Sequence, residues 1–201
     1  MTRWYSPAPS AWQWIFWLTS VQPRGRIPSD KPAEIWLTPG MLVGTHALLP
    51  VGACLVVDNL RLAAGLDRLL PQRSLWWVGV FGVLPDLFSP HLSLAARFAS
   101  RSHSMVFLVG AVILAAAAGS FFENGRRLLV AVACWCAVVL HLAADALSGG
   151  IILGYPLRDV VVGGTFVPFR FWGWCDLGFL GLTWWLWRRS VALDARRSRR
   201  N

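Results

Sequence analysis

Charge is scarce in this chain. Only 14% of its 201 residues are Asp, Glu, Lys or Arg, against about 25% in an average soluble domain. Four cysteines, at 54, 134, 136 and 175, form no CxxC pair and no zinc-ribbon spacing. In apolar surroundings they read as small buried hydrophobes and say nothing of redox compartment. No Walker motif, Gly-rich dinucleotide fingerprint or Gly-x-Ser-x-Gly elbow occurs. No whole segment alternates with period two, which argues against a β-barrel, and no internal repeat is visible. What is abundant is apolar: 56% of residues, with 13 Trp and 11 Phe and a mean hydropathy of +0.51. Such a composition excludes a disordered chain, argues against a soluble enzyme and points to a bilayer.

Five apolar runs approach the length that crosses ~30 Å of hydrocarbon. They are Met41–Val57, short and interrupted by Pro50; Leu75–Phe88, also short; Met105–Phe122; Leu128–Ser148; and Phe171–Trp187, which holds Asp176 near its start and ends in TWWLW. The expected fold is therefore all-α, a polytopic membrane bundle of about five transmembrane or re-entrant helices. A soluble all-helical core is the rival, and it rarely needs continuous runs of this length.

The net charge of +9 needs a location before it has a meaning. Arg61, Arg68 and Arg73 lie between the first two runs, Arg126 and Arg127 between the third and fourth, and Arg188, Arg189, Arg196, Arg197, Arg199 and Arg200 after the fifth. The opposite connections hold only Arg97, Arg101, Arg158 and Arg170. The positive-inside rule then puts the C-terminus in the cytoplasm of an inner-membrane, multi-pass protein. No aromatic or Gly-rich pattern interleaves the basic tail (188–201), so anionic lipid headgroups are its expected contact and nucleic acid is not.

Residues 1–40 differ in kind. AWQWIFWLT (11–19) is too short to span, and the rest is rich in Pro, Gly and charge. No signal-peptide order is present. Two readings stay open: an interfacial or disordered extension, or a start of translation at Met41. The membrane domain proper would run over 41–187.

Chemistry-bearing side chains gather where the topology predicts the outer face. The four histidines are His46 in the first run, His91 after the second, His103 before the third and His141 in the fourth. Asp145 follows His141 by four residues, on the same helix face. His141 is seven residues from Ser148, about 10 Å of depth at 1.5 Å per residue. A carboxylate inside an apolar run costs at least ~2.5 kcal/mol in lipid, so Asp145 needs partners. Imidazoles with one or two carboxylates make a borderline nitrogen and oxygen site, best suited to zinc, with manganese or iron as alternatives. The bland reading of each histidine alone is a hydrogen bond across to a neighbouring helix.

At these residues the sequence resembles the YdjM-like, LexA-binding family of inner-membrane-associated, metal-dependent hydrolases. The resemblance runs from Met41 to about Phe169. THALLP (45–50) resembles the family's Thr-His or Gly-His start, and GVLPDL (82–87) its glycine-to-Pro-Asp segment. SHS (102–104) resembles the end of its His-Arg-x-x-Thr-His-Ser element. HLAAD (141–145), with Gly149, Gly150 and Pro156, resembles its His-x-x-x-Asp…Gly…Pro block. The resemblance implies a metal site at His46, Asp86, His103, His141 and Asp145. Phe98 stands where many members carry a His, and Phe88 where many carry a second Asp. His91 as a substitute, a mononuclear site and a decayed site are the readings this leaves open. A more distant likeness to zinc-dependent phospholipase C proteins hints at phosphodiesters.

The function expected is metal-dependent hydrolysis, with activated water attacking an ester or phosphodiester. Asp86 and Asp145 are the candidate catalytic carboxylates, as ligand or general base. Arg97 and Arg101 could hold a phosphate, or simply meet headgroups. Ser102 and Ser104 could orient His103, or cap the third helix. A substrate arriving laterally would be lipid-like. The alternatives are a metal or proton pathway and a structural membrane protein.

Overall fold

The computed structural model describes residues 43–89, 100–158, 160–164, 166–167 and 171–199. Residues 1–40, His91, Arg97 and Phe98 lie outside them. Among the described residues five α-helices follow one another: α1 (Val43–Ala63), α2 (Ser74–Phe88), α3 (Met105–Ser120), α4 (Asn124–Leu147) and α5 (Trp172–Ser198), with a short 3-10 turn at Arg101–His103 before α3. No strand occurs among the described residues; an isolated antiparallel bridge joins Ile151 to Val162.

Pairwise packing runs in the order α5, α1, α2, α4, α3, and successive helices alternate in direction. One end of the assembly therefore collects the start of α1, the end of α2, the start of α3, the end of α4 and the start of α5. The other end collects the arginine-bearing connections.

Two helices, Gly44–Ala63 and Asn124–Leu147, are long and apolar enough to cross a membrane; α2 and α3 are apolar but shorter. The five expected spans thus reduce to two that satisfy length and composition. At 15 residues α2 is about 22 Å long. α5 has the length but continues as helix through Arg188, Arg189, Arg196 and Arg197 to Ser198, beyond the run ending at Trp187. Arginine is a good helix former, and ion pairs of Asp194 with Arg68 and of Arg197 with Asp67 hold this stretch to the α1–α2 connection.

Pro50 does not stop α1, which runs on to Ala63. Proline removes the N–H that would bond the His46 carbonyl. Gly82 of α2 lies directly against that carbonyl, where any Cβ would collide with its oxygen. The missing side chain is what lets α1 and α2 meet at this level.

The interior is filled by Val78 and Phe81 of α2, Val130, Cys134, Ala137 and Val138 of α4, and Ala111, Ala115 and Ala118 of α3. The α3 alanines, at i, i+4 and i+7, allow close approach to α4. The larger Val109, Val112 and Ile113 of α3 face outward. Cys134 is buried as expected, whereas Cys136 is exposed and Cys54 and Cys175 are intermediate.

Candidate metal centre

Four chain segments deliver their polar side chains to one end of the bundle. His46 sits in the first turn of α1, Asp86 in the last turn of α2 just after Pro85, and His103 closes the 3-10 turn. His141 and Asp145 occupy successive turns at the end of α4, where the i, i+4 spacing puts both on one face. His46, His103, His141 and Asp145 are all buried, while Asp86 is 20% exposed.

Asp86, His103, His141 and Asp145 each present one ligand-type atom within a common 4.8 Å, a group that could hold a metal ion. His103 Nε2 lies 3.2 Å from His141 Nε2, 3.1 Å from Asp145 Oδ2 and 3.4 Å from Asp86 Oδ1. His141 Nε2 lies 3.3 Å from Asp145 Oδ2 and 3.7 Å from Asp86 Oδ1. His46 stands beside this group. Its ring is tilted over His141 with centroids 4.0 Å apart, and its Nε2 is 3.4 Å from the other Asp145 oxygen, Oδ1. Asp145 thus faces three imidazoles. The Nδ1 of His46 is buried without a hydrogen-bond partner.

Hydrogen bonds behind the rings set which nitrogen looks inward. His141 Nδ1 donates to the Gly82 carbonyl over 2.7 Å. A carbonyl can only accept, so the neutral ring keeps its lone pair on Nε2, toward the cluster. His103 Nδ1 lies 3.0 Å from Ser100 Oγ and 3.1 Å from Ser102 Oγ, and either hydroxyl can accept its proton. Burial opposes charge on His103, but hydrogen bonds to Asp145 and Asp86 outweigh it and hold the imidazole above its usual range. Two carboxylates and two inward ring nitrogens around one point form a donor set that a cation satisfies.

The segment after α4 braces the centre. Ser148 N and Gly150 N both bond the Asp145 carbonyl, while Gly164 N and Phe166 N reach back to the carbonyls of Ala146 and Leu147. These bonds occupy the open carbonyls at the helix end. Gly163 makes the return possible: its φ is +95°, and a side chain there would strike the Ala146 carbonyl.

Of the residues singled out from sequence, Asp86, His103, His141 and Asp145 converge, with His46 against Asp145. Ser102 touches His103. Ser104 instead spends its hydroxyl on α3, accepting from Phe107 N and donating to the Arg101 carbonyl, which is the helix-cap reading. Arg101 is exposed on the turn. His91 and Arg97 lie outside the described residues. Three contributors were not singled out. The Gly82 carbonyl was inside a quoted motif but carried no side chain to flag it. Ser100 stood two residues before a serine that was flagged. Thr45 donates a hydrogen bond to Asp176 of α5, and only the oddity of a carboxylate in an apolar run hinted at that pair.

A model of the family described as YdjM inner membrane protein matches residues 41–196. No curated protein matches, and no solved structure matches.

Proposed function

The chain belongs to the YdjM inner membrane protein family, and on that premise we propose that it is a multi-pass membrane hydrolase whose centre is the His/Asp cluster. The observation that carries the reading is the cluster itself: four donors from three separate segments, with His46 of a fourth beside them, in a protein with very little charge to spend. Bound zinc holds nitrogen and oxygen ligands at about 2.0–2.2 Å in a tetrahedron, so its ligands stand about 3.3–3.6 Å apart. Five of the six separations within the cluster, 3.1–3.7 Å, fit that size, the sixth, between the two carboxylates, lies within 4.8 Å, and zinc is the ion we assign. A divalent cation there would acidify a water and stabilise charge on an ester or phosphoryl oxygen.

The two carboxylates divide the work by exposure. Asp145, enclosed by His46, His103 and His141, is the ligand that anchors the site. Asp86 reaches solvent; as the outermost of the four donors it would yield the ion's fourth position to the attacking water and accept that water's proton. Arg101 supplies positive charge at the rim for an anionic substrate.

Inverted polarity supports the membrane reading: α3 buries alanines and exposes valine and isoleucine, and α5 exposes Trp174, Leu177, Leu180, Trp184 and Trp185. Water would penalise that surface, and lipid would not. The arginine-bearing end faces the cytoplasm with the C-terminus, and the metal centre faces outward. A metal or proton pathway fits less well, because Val78, Phe81, Val130, Cys134 and Val138 fill the middle of the bundle.

Metal analysis of the protein purified in detergent tests this reading. About one zinc per chain is expected, with none in the variant carrying His141→Ala and Asp145→Ala, and metal-dependent cleavage of a generic ester or phosphodiester. A metal-free parent, or equal metal in the double variant, overturns it. A reporter fused after Asn201 should read cytoplasmic.

A further inference from the structure

The geometry points to a membrane phospholipid as the substrate, cleaved at an ester or phosphodiester bond near its glycerol; this rests on the hydrolase reading above. Three observations carry it. The first is access. Of the five clustered residues only Asp86 has appreciable exposure, so a substrate enters past Asp86. The second is what frames that entry. Leu87 and Phe88 directly follow Asp86 and are 60% and 63% exposed, and Met105 and Val106 at the start of α3 are also exposed. Phe88 stands edge-on to Phe107, with ring centroids 5.5 Å apart, which joins the end of α2 to α3 as one apolar rim. A site for water-soluble esters gains nothing from such a rim, whereas an acyl chain buries against it. Arg101, two residues from His103, is exposed and makes no ion pair among the described residues. It matches a lipid phosphate.

The third observation is depth. Asp86 and Asp145 are each two residues from their helix ends and His141 is six, so the donors lie about 3–9 Å below those ends. α4 is about 36 Å long against ~30 Å of hydrocarbon. The cluster therefore sits near the boundary between headgroups and chains, where the esters and phosphodiester of a glycerolipid lie. In the reaction, the water oxygen bonds to the acyl carbon or the phosphorus. The bond from that atom to the leaving oxygen breaks, and one water proton passes through Asp86 to the leaving oxygen. Nothing is oxidised or reduced.

The test uses full-length zinc-loaded protein in mixed micelles with phosphatidylglycerol of six- or sixteen-carbon chains, and with bis(p-nitrophenyl) phosphate. The expected result is a kcat/KM for the long-chain lipid at least about tenfold above that for the short-chain lipid. Leu87→Ser with Phe88→Ser should collapse that ratio, and Trp184→Ser, midway along α5 and away from the rim, should not. Released fatty acid identifies ester cleavage; a released phosphorylated headgroup identifies phosphodiester cleavage. A second readout needs no turnover: native mass spectrometry of metal-free protein with a non-hydrolysable ether phosphonate lipid. One retained lipid is expected, lost in the double serine variant. Cleavage independent of chain length, unchanged by the rim variant, overturns the lipid assignment and leaves the hydrolase standing. Bound zinc with no cleavage of any substrate overturns the hydrolase reading itself.

Discussion

The two ends of this helical assembly both bury carboxylates, and they treat them in opposite ways. At the arginine end, Asp58 is 1% exposed. It accepts a hydrogen bond from Leu69 N at 2.8 Å and faces Arg68 at 3.7 Å. Arg68 also bonds Asp194 at 2.8 Å, and Arg126 donates to the carbonyls of Arg68 and Leu69. The chain supplies its own cation there. At the other end Asp145 is as deeply buried, but the side chains around it are imidazoles, which are cations only when protonated. One end is closed by an internal ion pair, and the other gathers a group of donors that could hold a cation from outside. The difference separates a carboxylate that holds the fold from one that serves a site.

The comparison breaks most visibly if the two carboxylates prove interchangeable. Asp145→Ala should abolish zinc binding, weakening affinity by more than the 10–100-fold typical of losing an outer-shell partner, as read by competition with a chromophoric chelator. Arg68→Ala should leave zinc stoichiometry at the parent value. Its cost falls on stability, about 3 kcal/mol, because Asp58 is left buried without its cation. Thermal unfolding in detergent measures this. A stable Arg68→Ala protein that has lost its zinc would mean that the two ends are coupled through α1 and α2.

Parts of this contrast could be read from the sequence. Asp145 was conspicuous because an acid in an apolar run is expensive, and the i, i+4 spacing from His141 fixed their common face. The convergence of His46, Asp86 and His103 followed once alternating helices put them at one end. The helix bounds of α2, α3 and α4 are within a few residues of the apolar runs. α1 and α5 outran theirs, since hydropathy ends at the first charges while helix continues wherever those charges find partners. The Asp58–Arg68–Asp194 network was not legible: its members are 10 to 136 residues apart, and each is ordinary in its local segment. Nor was the second role of Gly82, which acts through a backbone carbonyl and an absent side chain.

Gly82 offers a sharper cut, because it touches only the metal end. Gly82→Ala would drive a methyl into the His46 carbonyl and also crowd Pro50, and backbone cannot yield as a flexible side chain can. The α1–α2 contact must open, moving both His46 and the carbonyl that orients His141. Zinc affinity should fall about 10–100-fold, in the range of lost outer-shell support. The equivalent substitution at Gly110, which meets nothing, should leave affinity unchanged. Equal affinities in the two variants would mean that the Gly82 contact does not set ring geometry.

The smallest effect divides two serines that flank one histidine. Ser102 and Ser104 are chemically identical and two residues apart, yet one bonds the His103 ring and the other caps α3. Ser104→Ala should cost about 1 kcal/mol of stability with no change in zinc affinity. Ser102→Ala should do the reverse, and weakly, because Ser100 still meets His103 Nδ1 at 3.0 Å. A loss below about twofold is expected from either Ser100→Ala or Ser102→Ala alone, and about tenfold or more from the pair. Non-additivity is the informative result: two hydroxyls sharing one ring nitrogen act as alternates, whereas independent ligands would lose affinity by simple multiplication. Strict multiplication would mean that each serine supports the centre by its own route, and His103 would no longer be the element that connects them to the metal.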